Sequence, residues 1–188
     1  MTKEDGMQDR IDSLTAERDA LLADDRTPFQ KWITGDGPHA KPRSVYVASS
    51  WRSLLQQVVV HAIRAFGIDV YDFRNPAPGN TGFSWSSINP DWQRWTPAQW
   101  RDALKSGIAK RGYDNDKAGM DGADCCVLVL PCRRSAHLEA GFMAAQGKPV
   151  FTVALEKTEP ELMSLLLGPA DHICTSMDEL FDRLGCPK

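Results

Sequence analysis

From residue 44 onwards, short apolar runs alternate with amphipathic stretches. Five runs rich in β-branched and aliphatic residues are typical of strands and lie at 44–49, 68–72, 124–131, 149–155 and 171–175. Helical patterns lie between and after them, at 52–66, 114–122, 135–146, 161–167 and 177–184, and Pro97 should open a further short helix. Strands that alternate with helices indicate an α/β protein with helices on both faces of a parallel sheet.

The strand count also favours a particular topology. Five strands predict a flavodoxin-like (Rossmann-like) three-layer sandwich, with a mostly parallel sheet of order 2-1-3-4-5. In that order the first and third strands are neighbours, and a crevice opens where their carboxyl ends meet. Ligands of open α/β sheets bind at this edge. We therefore expect the functional residues of this chain to follow the strands 44–49 and 124–131.

Residues 1–43 have a different pattern. Apolar side chains recur at helical spacing over about 7–24 and predict an amphipathic helix. Residues 27–43 contain three prolines and the turn-forming Gly35-Asp36-Gly37, which is typical of a connector. The expected organisation is an amino-terminal helical extension over 1–43, followed by one α/β domain over 44–188.

A tryptophan-rich segment at 77–112 interrupts the alternation of strands and helices. It lacks strand character and carries four of the six tryptophans of the chain: Trp85, Trp92, Trp95 and Trp100. Such a cluster can form a lid that stacks on an aromatic ligand, or a small satellite core under the segment. The sequence leaves both interpretations open.

Composition and charge narrow the class of partner. The chain has 188 residues, of which 42% are apolar and 25% charged, as in ordinary globular proteins. A net charge of −3 argues against a nucleic-acid polymer or an anionic membrane as the main partner. No apolar run is long enough for a membrane span, and the polar amino terminus lacks the apolar core of a signal peptide.

The cysteines and histidines predict neither a metal site nor disulfides. The five cysteines are odd in number and lack zinc-ligand or secreted-framework spacing, and the four histidines are scattered. The first loop, Ser49-Ser50-Trp51-Arg52, lacks the glycine and hydroxyl residues that would cradle a flavin phosphate. We therefore expect a cytoplasmic protein without a metal or cofactor.

Glu139 is the first candidate for chemistry. It lies about one turn into the helix that follows the apolar run Cys125–Leu130, at the expected ligand edge. A carboxylate there could act as a nucleophile or a base, or only complement the helix dipole as a solvated side chain.

Three segments around this residue together resemble a known family. Val45–Trp51, Asn115–Ala123 and Ser135–Phe142, the last followed by Gly147–Val150, are similar in order to segments of the nucleoside 2-deoxyribosyltransferases. The wider family includes the nucleoside 5′-monophosphate N-glycoside hydrolases. The resemblance extends over about 44–184.

The resemblance implies an enzyme that cleaves or transfers at an N-glycosidic bond. Glu139 matches the catalytic Glu of the family, which forms a covalent glycosyl-enzyme, and Asp116 matches the acid that contacts the base. Tyr46 could hold Glu139 in its attacking rotamer through its hydroxyl, or it could be an inner-strand tyrosine whose hydroxyl is satisfied elsewhere. The family also implies a homo-oligomer, a dimer or a larger ring. Neither the base, the sugar and the acceptor, nor the choice between hydrolysis and transfer, follows from the sequence.

Substrate contacts are expected on the loops at the same edge. The candidates outside the catalytic trio are Ser49, Trp51, Asp72, Asn75, Asn115, Arg133, Arg134 and Ser135. Family members often carry a further Asp six positions before the nucleophile, where this chain has Arg133. Two arginines at a helix amino terminus suit a phosphate, which favours a nucleoside 5′-monophosphate over an unmodified nucleoside. Alternatively, both arginines are solvated or pair with nearby acids, and Asp72 and Asn75 only shape the turn before Pro76.

An alternative function uses the same fold without catalysis. The replacement of the expected Asp by Arg133, together with the amino-terminal helix, is also compatible with a nucleotide-binding or interaction module.

Overall fold

A computed structural model of the chain describes residue 31 and residues 40–186. The predicted amino-terminal helix and most of its connector lie outside the described residues, so this part of the domain organisation stays a prediction. In the described part, the strands are β1 Ser44–Ala48, β2 Asp69–Asp72, β3 Cys125–Val129, β4 Val150–Val153 and β5 Ile173–Cys174. The α-helices there are α1 Leu55–Ala65, α2 Pro97–Ala103, α3 Gly107–Gly122, α4 Arg134–Ala145 and α5 Met177–Arg183. Short 3-10 turns lie at Trp85–Ser87, Trp92–Arg94, Leu162–Leu166 and Ala170–His172.

The described strands form one sheet in the order β2-β1-β3-β4-β5, and every pairing is parallel. This confirms the predicted flavodoxin-like α/β class and its strand order. β1 lies between β2 and β3, with Tyr46 paired to Tyr71 on one side and to Cys126 on the other. The carboxyl ends of these three strands therefore meet at one edge of the sheet, as expected.

Helices cover both faces of the sheet. Side chains alternate along a strand, so Tyr71 and Asp72 in β2 point to opposite faces. Tyr71 contacts α3, whereas Asp72 accepts hydrogen bonds from α1. α4 packs on the same face as α3, and its residues Ala140 and Met143 are buried in the core with Tyr46. α5 joins α1 on the other face, where the ring of Phe181 lies 4.6 Å from that of Phe66. Among the described residues, no helix is both long and apolar enough to cross a membrane.

α3 is longer than the sequence indicates. The prediction of a short helix near 114–122 was wrong about its start, because the helix begins at Gly107 after Ser106, whose hydroxyl accepts from the Ala109 N–H. Glycine is a poor helix former, so the glycines of this segment masked the helix. Two of them are needed for close packing: a Cβ on Gly112 would meet the ring of Phe83, and one on Gly119 the ring of Tyr71.

Because α3 takes up residues from Gly107 onwards, the tryptophan-rich segment ends at Ser106 and not at residue 112. The short helix after Pro97 is confirmed, and Thr96 caps it through a reciprocal contact with Gln99. Within the segment, Trp85 packs edge-on against Phe83 on one side and against Trp95 on the other. These contacts are those of a small aromatic cluster that rests on α3.

Three further boundaries differ from the prediction. α1 begins at Leu55, because residues 50–53 form a turn in which the Ser53 N–H donates to the Ser50 carbonyl. The stretch predicted as a helix at 161–167 is a 3-10 segment. β5 is only two residues long. The predicted cap of the closing helix is confirmed, since the Ser176 hydroxyl accepts from the Glu179 N–H.

Candidate active site

Two stacked tyrosines form the floor of the site. Tyr46 and Tyr71 are register partners on β1 and β2, so their side chains emerge from the same face of the sheet. Their ring centroids lie 5.2 Å apart with an interplanar angle of 9°. Tyr46 is fully buried, and Tyr71 is half-buried at the edge of the sheet.

α3 brings Asp116 onto this floor. Gly119 lies one turn further along the helix and lets the backbone approach the ring of Tyr71. The Tyr71 hydroxyl donates a hydrogen bond of 2.8 Å to Oδ1 of Asp116. Burial raises the pKa of Asp116 above its ordinary value, and the hydrogen bond from Tyr71 acts in the opposite direction.

α4 brings Glu139 to the same place. Ala136, Ala140 and Met143 bury one side of this helix in the core, and the small alanines let it approach the sheet. Glu139 lies between them and is half-buried. Burial, and then the negative charge of Asp116, raise the pKa of Glu139 to about 7, while its interaction with Tyr46 lowers it. The two acids thus belong to one electrostatic cluster.

The Tyr46 hydroxyl is a buried donor without an acceptor. It has no hydrogen-bond partner among the described residues. Burial and the charge of Glu139 raise its pKa well above the usual range, so the phenol stays protonated. The interaction with Glu139 has the electrostatic effect of a hydrogen bond, but the distance and angles of an ordinary one are not met. Since unsatisfied buried donors are costly, this O–H is available to Glu139 or to a ligand.

Asp72 and Asn75 do not join this cluster. Asp72 lies on the opposite face of the sheet and is buried. Its carboxylate accepts hydrogen bonds from Gln56, Gln57, the Arg74 N–H and Asn75. These donors more than offset the desolvation and lower the pKa of Asp72. The contacts are those of a turn that ends β2 and ties it to α1, so nothing in them supports a role in substrate binding.

The loop after β1 is built around Arg74, which sequence reasoning missed. One guanidinium nitrogen of Arg74 donates to the carbonyls of Ser50, Trp51 and Ser53. Trp51 is 50% exposed and packs edge-on against Phe73. Its exposed half faces solvent on the loop that follows β1.

The remaining predicted contacts are exposed or structural. The Ser49 hydroxyl is buried and donates to the Val129 carbonyl, which ties the ends of β1 and β3 together. Asn115 is exposed on α3. Arg133, Arg134 and Ser135 are exposed at the first turn of α4, where no side chain caps the helix.

The structure thus brings together Tyr46, Asp116 and Glu139 and adds Tyr71, which the sequence did not single out. The only sequence signal for Tyr71 is its place in a short strand beside β1. It becomes informative once the register pairs it with Tyr46.

No group of three or more His, Cys, Asp or Glu side chains in the described part is arranged to hold a metal ion. A separate groove of about 600 Å³ runs along the open edge of β2. It includes Tyr71 but neither Asp116 nor Glu139. Its lining also includes Arg64 of α1, Gly119 of α3, Asp69 of β2 and Pro76 of the loop that follows β2.

No protein-family model matches the chain, and no curated protein sequence matches it. Among solved structures, it is similar to a 2-deoxyribosyltransferase from the psychrotolerant bacterium Bacillus psychrosaccharolyticus, described as a biocatalyst for the synthesis of antiviral and antitumoral nucleosides. The two chains are 18% identical with a TM-score of 0.42, over 64% of this chain and 78% of that chain. A likeness at this level says nothing about chemistry, so the function rests on the geometry of the site.

Proposed function

We propose that the protein cleaves or transfers at the N-glycosidic bond of a nucleoside or a nucleoside 5′-monophosphate. In this proposal Glu139 is the nucleophile, Asp116 is the general acid for the leaving base, and Tyr46 orients Glu139. The observation that carries the proposal is the convergence of two half-buried carboxyl groups from different helices over one pair of stacked tyrosines. Partly buried acids that repel each other destabilise a fold, and such pairs are typical of catalytic sites.

The first step would form a glycosyl-enzyme. A carboxylate oxygen of Glu139 bonds to the anomeric carbon as the bond from that carbon to the base nitrogen breaks. The bonding electrons remain on the base, and Asp116 neutralises them by giving its proton to a base nitrogen. Because the pKa of Glu139 is raised to about 7, the nucleophile becomes ionised only near neutral pH.

The second step would release the sugar. Asp116 is now a carboxylate and removes a proton from an attacking water, or from the nitrogen of a second base. The incoming atom bonds to the anomeric carbon, and Glu139 leaves as a carboxylate. Water gives hydrolysis and a second base gives transfer. The same residues serve both outcomes.

The two acids share one proton during turnover, which sets the pH dependence of the reaction. The productive form has a proton on Asp116 and none on Glu139, whereas the free protein favours a proton on Glu139. Activity should therefore follow a bell-shaped pH profile whose two limbs belong to the pair.

Exposed side chains at the first turn of α4 support a phosphate in the substrate. Arg133 and Arg134 place two guanidinium groups beside the amino end of the helix that carries Glu139, and Ser135 adds a hydroxyl. We propose that these residues take the 5′-phosphate of a nucleoside monophosphate.

The test is release of free base from a panel of nucleosides, deoxynucleosides and their 5′-monophosphates, followed by chromatography with and without a second base. We expect release by wild type, a preference for monophosphates that Arg133→Ala/Arg134→Ala reduces, and no release by Glu139→Gln. Equal release by Glu139→Gln would contradict the proposal. Thermal stabilisation by a nucleotide without any release would favour a non-catalytic nucleotide-binding module instead.

A further inference from the structure

Tyr71 makes the one hydrogen bond to the Asp116 side chain that the described residues provide. Its hydroxyl donates to Oδ1 at 2.8 Å, and no described residue donates to Oδ2. The tyrosine is itself fixed, because its ring lies parallel to Tyr46 and presses against the backbone at Gly119. The direction of the hydrogen bond is therefore set by the sheet and not by a mobile side chain.

This geometry makes the two oxygens of Asp116 unequal. Oδ1 is occupied by the Tyr71 hydroxyl, so the proton that Asp116 gives away has to be carried on Oδ2. Tyr71 remains a donor throughout, because burial and the charge of Asp116 raise its pKa far above the usual range. A tyrosine so placed cannot act as a base toward Asp116 at ordinary pH.

We propose that Tyr71 is a positioning residue that holds Asp116 by Oδ1 and stabilises the charge that develops there when Oδ2 gives its proton to the leaving base. This inference rests on the proposed function. Its physical basis is that a hydrogen bond to a carboxylate is stronger than one to a protonated carboxyl group. The bond gains strength as the proton leaves, so it stabilises the transition state more than the ground state.

Other groups face Asp116 from the neighbouring elements, and they have to be held constant in a test. Tyr46 comes from β1 and Glu139 from α4, and both interact with Asp116 electrostatically. Cys126 of β3 lies beside Glu139 and stays a neutral thiol, because burial raises its pKa. On α3 itself, Lys117 is paired with Asp121.

The direct test is the titration of the Asp116 carboxyl group by NMR, with ¹³C-labelled aspartate and Asp116→Asn for assignment. In Tyr71→Phe the pKa of Asp116 should rise, because the ionised form loses its donor while the ring keeps its packing. The matched control is Tyr113→Phe, since Tyr113 lies on α3 but is exposed. An unchanged Asp116 titration in Tyr71→Phe, or an equal shift in both variants, would overturn the proposal.

A second measurement does not depend on how well the variant folds. In wild type labelled on tyrosine, the ring carbon that bears the Tyr71 hydroxyl should change its shift over the pH range in which Asp116 titrates. The corresponding carbon of Tyr113 should not follow that transition. A Tyr71 signal that ignores the Asp116 titration would contradict the hydrogen bond itself.

Kinetic measurements test whether the hydrogen bond from Tyr71 to Asp116 contributes to catalysis. We expect Tyr71→Phe to lower kcat about tenfold and to shift the pH profile of kcat upward, because the limbs of that profile belong to the coupled pair of acids. In an Asp116→Asn background the same change should have no further effect, because the two residues act as a unit. Full additivity of the two changes would overturn this role. If wild type releases no base, the proposed function fails, while both NMR titrations still decide whether Tyr71 controls Asp116.

Discussion

The buried acids on the two faces of the sheet have pKa shifts in opposite directions. Asp72 and Tyr71 are neighbours in β2, yet Asp72 points to the α1 face and Tyr71 to the α3 face. Four donors surround the Asp72 carboxylate and lower its pKa. Burial and the negative charge of Asp116 raise the pKa of Glu139, on the α3 and α4 face, and the interaction with Tyr46 does not offset them.

The number of hydrogen-bond donors around a buried carboxyl group distinguishes a structural acid from a functional one in the same fold. A buried carboxylate that serves the structure is given enough hydrogen bonds to be more stable inside than in water. An acid that must change its charge during a reaction is left short of donors, because a fully satisfied carboxylate neither attacks nor exchanges a proton readily. By this criterion we propose that Glu139 and Asp116 are functional acids, whereas Asp72 is structural.

The largest expected effect is on the nucleophile. Glu139→Gln should reduce base release about 10⁵-fold, because no covalent intermediate can form. The fold should stay intact or become more stable, since the change removes a partly buried charge that Asp116 repels. Chromatography of the released base and a thermal melt measure the two effects.

The control for this change is Glu156→Gln, on an exposed residue after β4. It should leave both activity and stability as in wild type. A comparable loss of activity in this variant, or a collapse of the fold in Glu139→Gln, would place Glu139 with the structural acids.

The next effect concerns the general acid. Asp116→Asn should lower kcat about a thousandfold for bases that need protonation to leave, and less for bases that leave readily. Asp114→Asn is the matched control, because Asp114 is exposed on the same helix and pairs with Lys110. An equal loss for all leaving bases would mean that Asp116 does not act as an acid.

The third effect is on the pH dependence of stability. The pKa of Glu139 is raised in the folded protein, so its protonated form is the one that the fold favours. The free energy of unfolding is therefore highest at low pH as far as this group is concerned. It falls as the pH rises from about 4.5 to about 7, by up to about 3 kcal/mol.

The measurement is urea denaturation of wild type and Glu139→Gln across this pH range, since the difference between the two removes the contribution of other groups. The glutamine variant should gain stability relative to wild type as the pH rises. A constant difference would show that the pKa of Glu139 is not raised.

The smallest expected effect concerns Asp72, on the α1 face of the sheet. Asp72→Asn should lower the free energy of unfolding by about 2 kcal/mol near neutral pH. The new NH₂ group replaces the oxygen that accepts from Gln57 and Asn75, so two hydrogen bonds are lost and donors face donors. The pKa of Asp72 is lowered, so its contribution is present at neutral pH and is lost as the pH falls.

Urea denaturation at several pH values measures this contribution, with Asp69→Asn as the control, because Asp69 is exposed at the start of the same strand. The difference between wild type and Asp72→Asn should shrink in acid. A specific loss of kcat in Asp72→Asn with unchanged stability would contradict a structural role.

The sequence predicts the sheet well because its central strands β1, β3 and β4 are buried on both faces. Runs such as Val45–Ala48 and Cys125–Val129 are apolar throughout, and their number and spacing determine the parallel order. α3 was harder to predict, because its glycines oppose helix formation in isolation. Their value appears only when Phe83 and Tyr71 pack against them, which is a tertiary contact.

Because some of its residues depend on tertiary contacts, only part of the site can be predicted from the sequence. Glu139 and Asp116 stand out because each precedes or follows a strand in a segment that resembles a known family. The proposed role of Tyr71 cannot be predicted from the sequence, because it depends on the register of β2 against β1 and on the contact with α3. Conversely, Asp72 has the right place along the chain, but strand alternation turns it to the other face.

The central claim, that Glu139 attacks the anomeric carbon, is tested most directly by trapping the intermediate. A nucleoside or 5′-monophosphate with fluorine at the sugar 2-position slows breakdown of the glycosyl-enzyme, because fluorine destabilises the oxocarbenium-like transition state. Peptide mass spectrometry after incubation should find one glycosyl group on the peptide that contains Glu139, with one equivalent of base released. A glycosyl group on another residue, or base release that leaves Glu139 unmodified, would contradict the account.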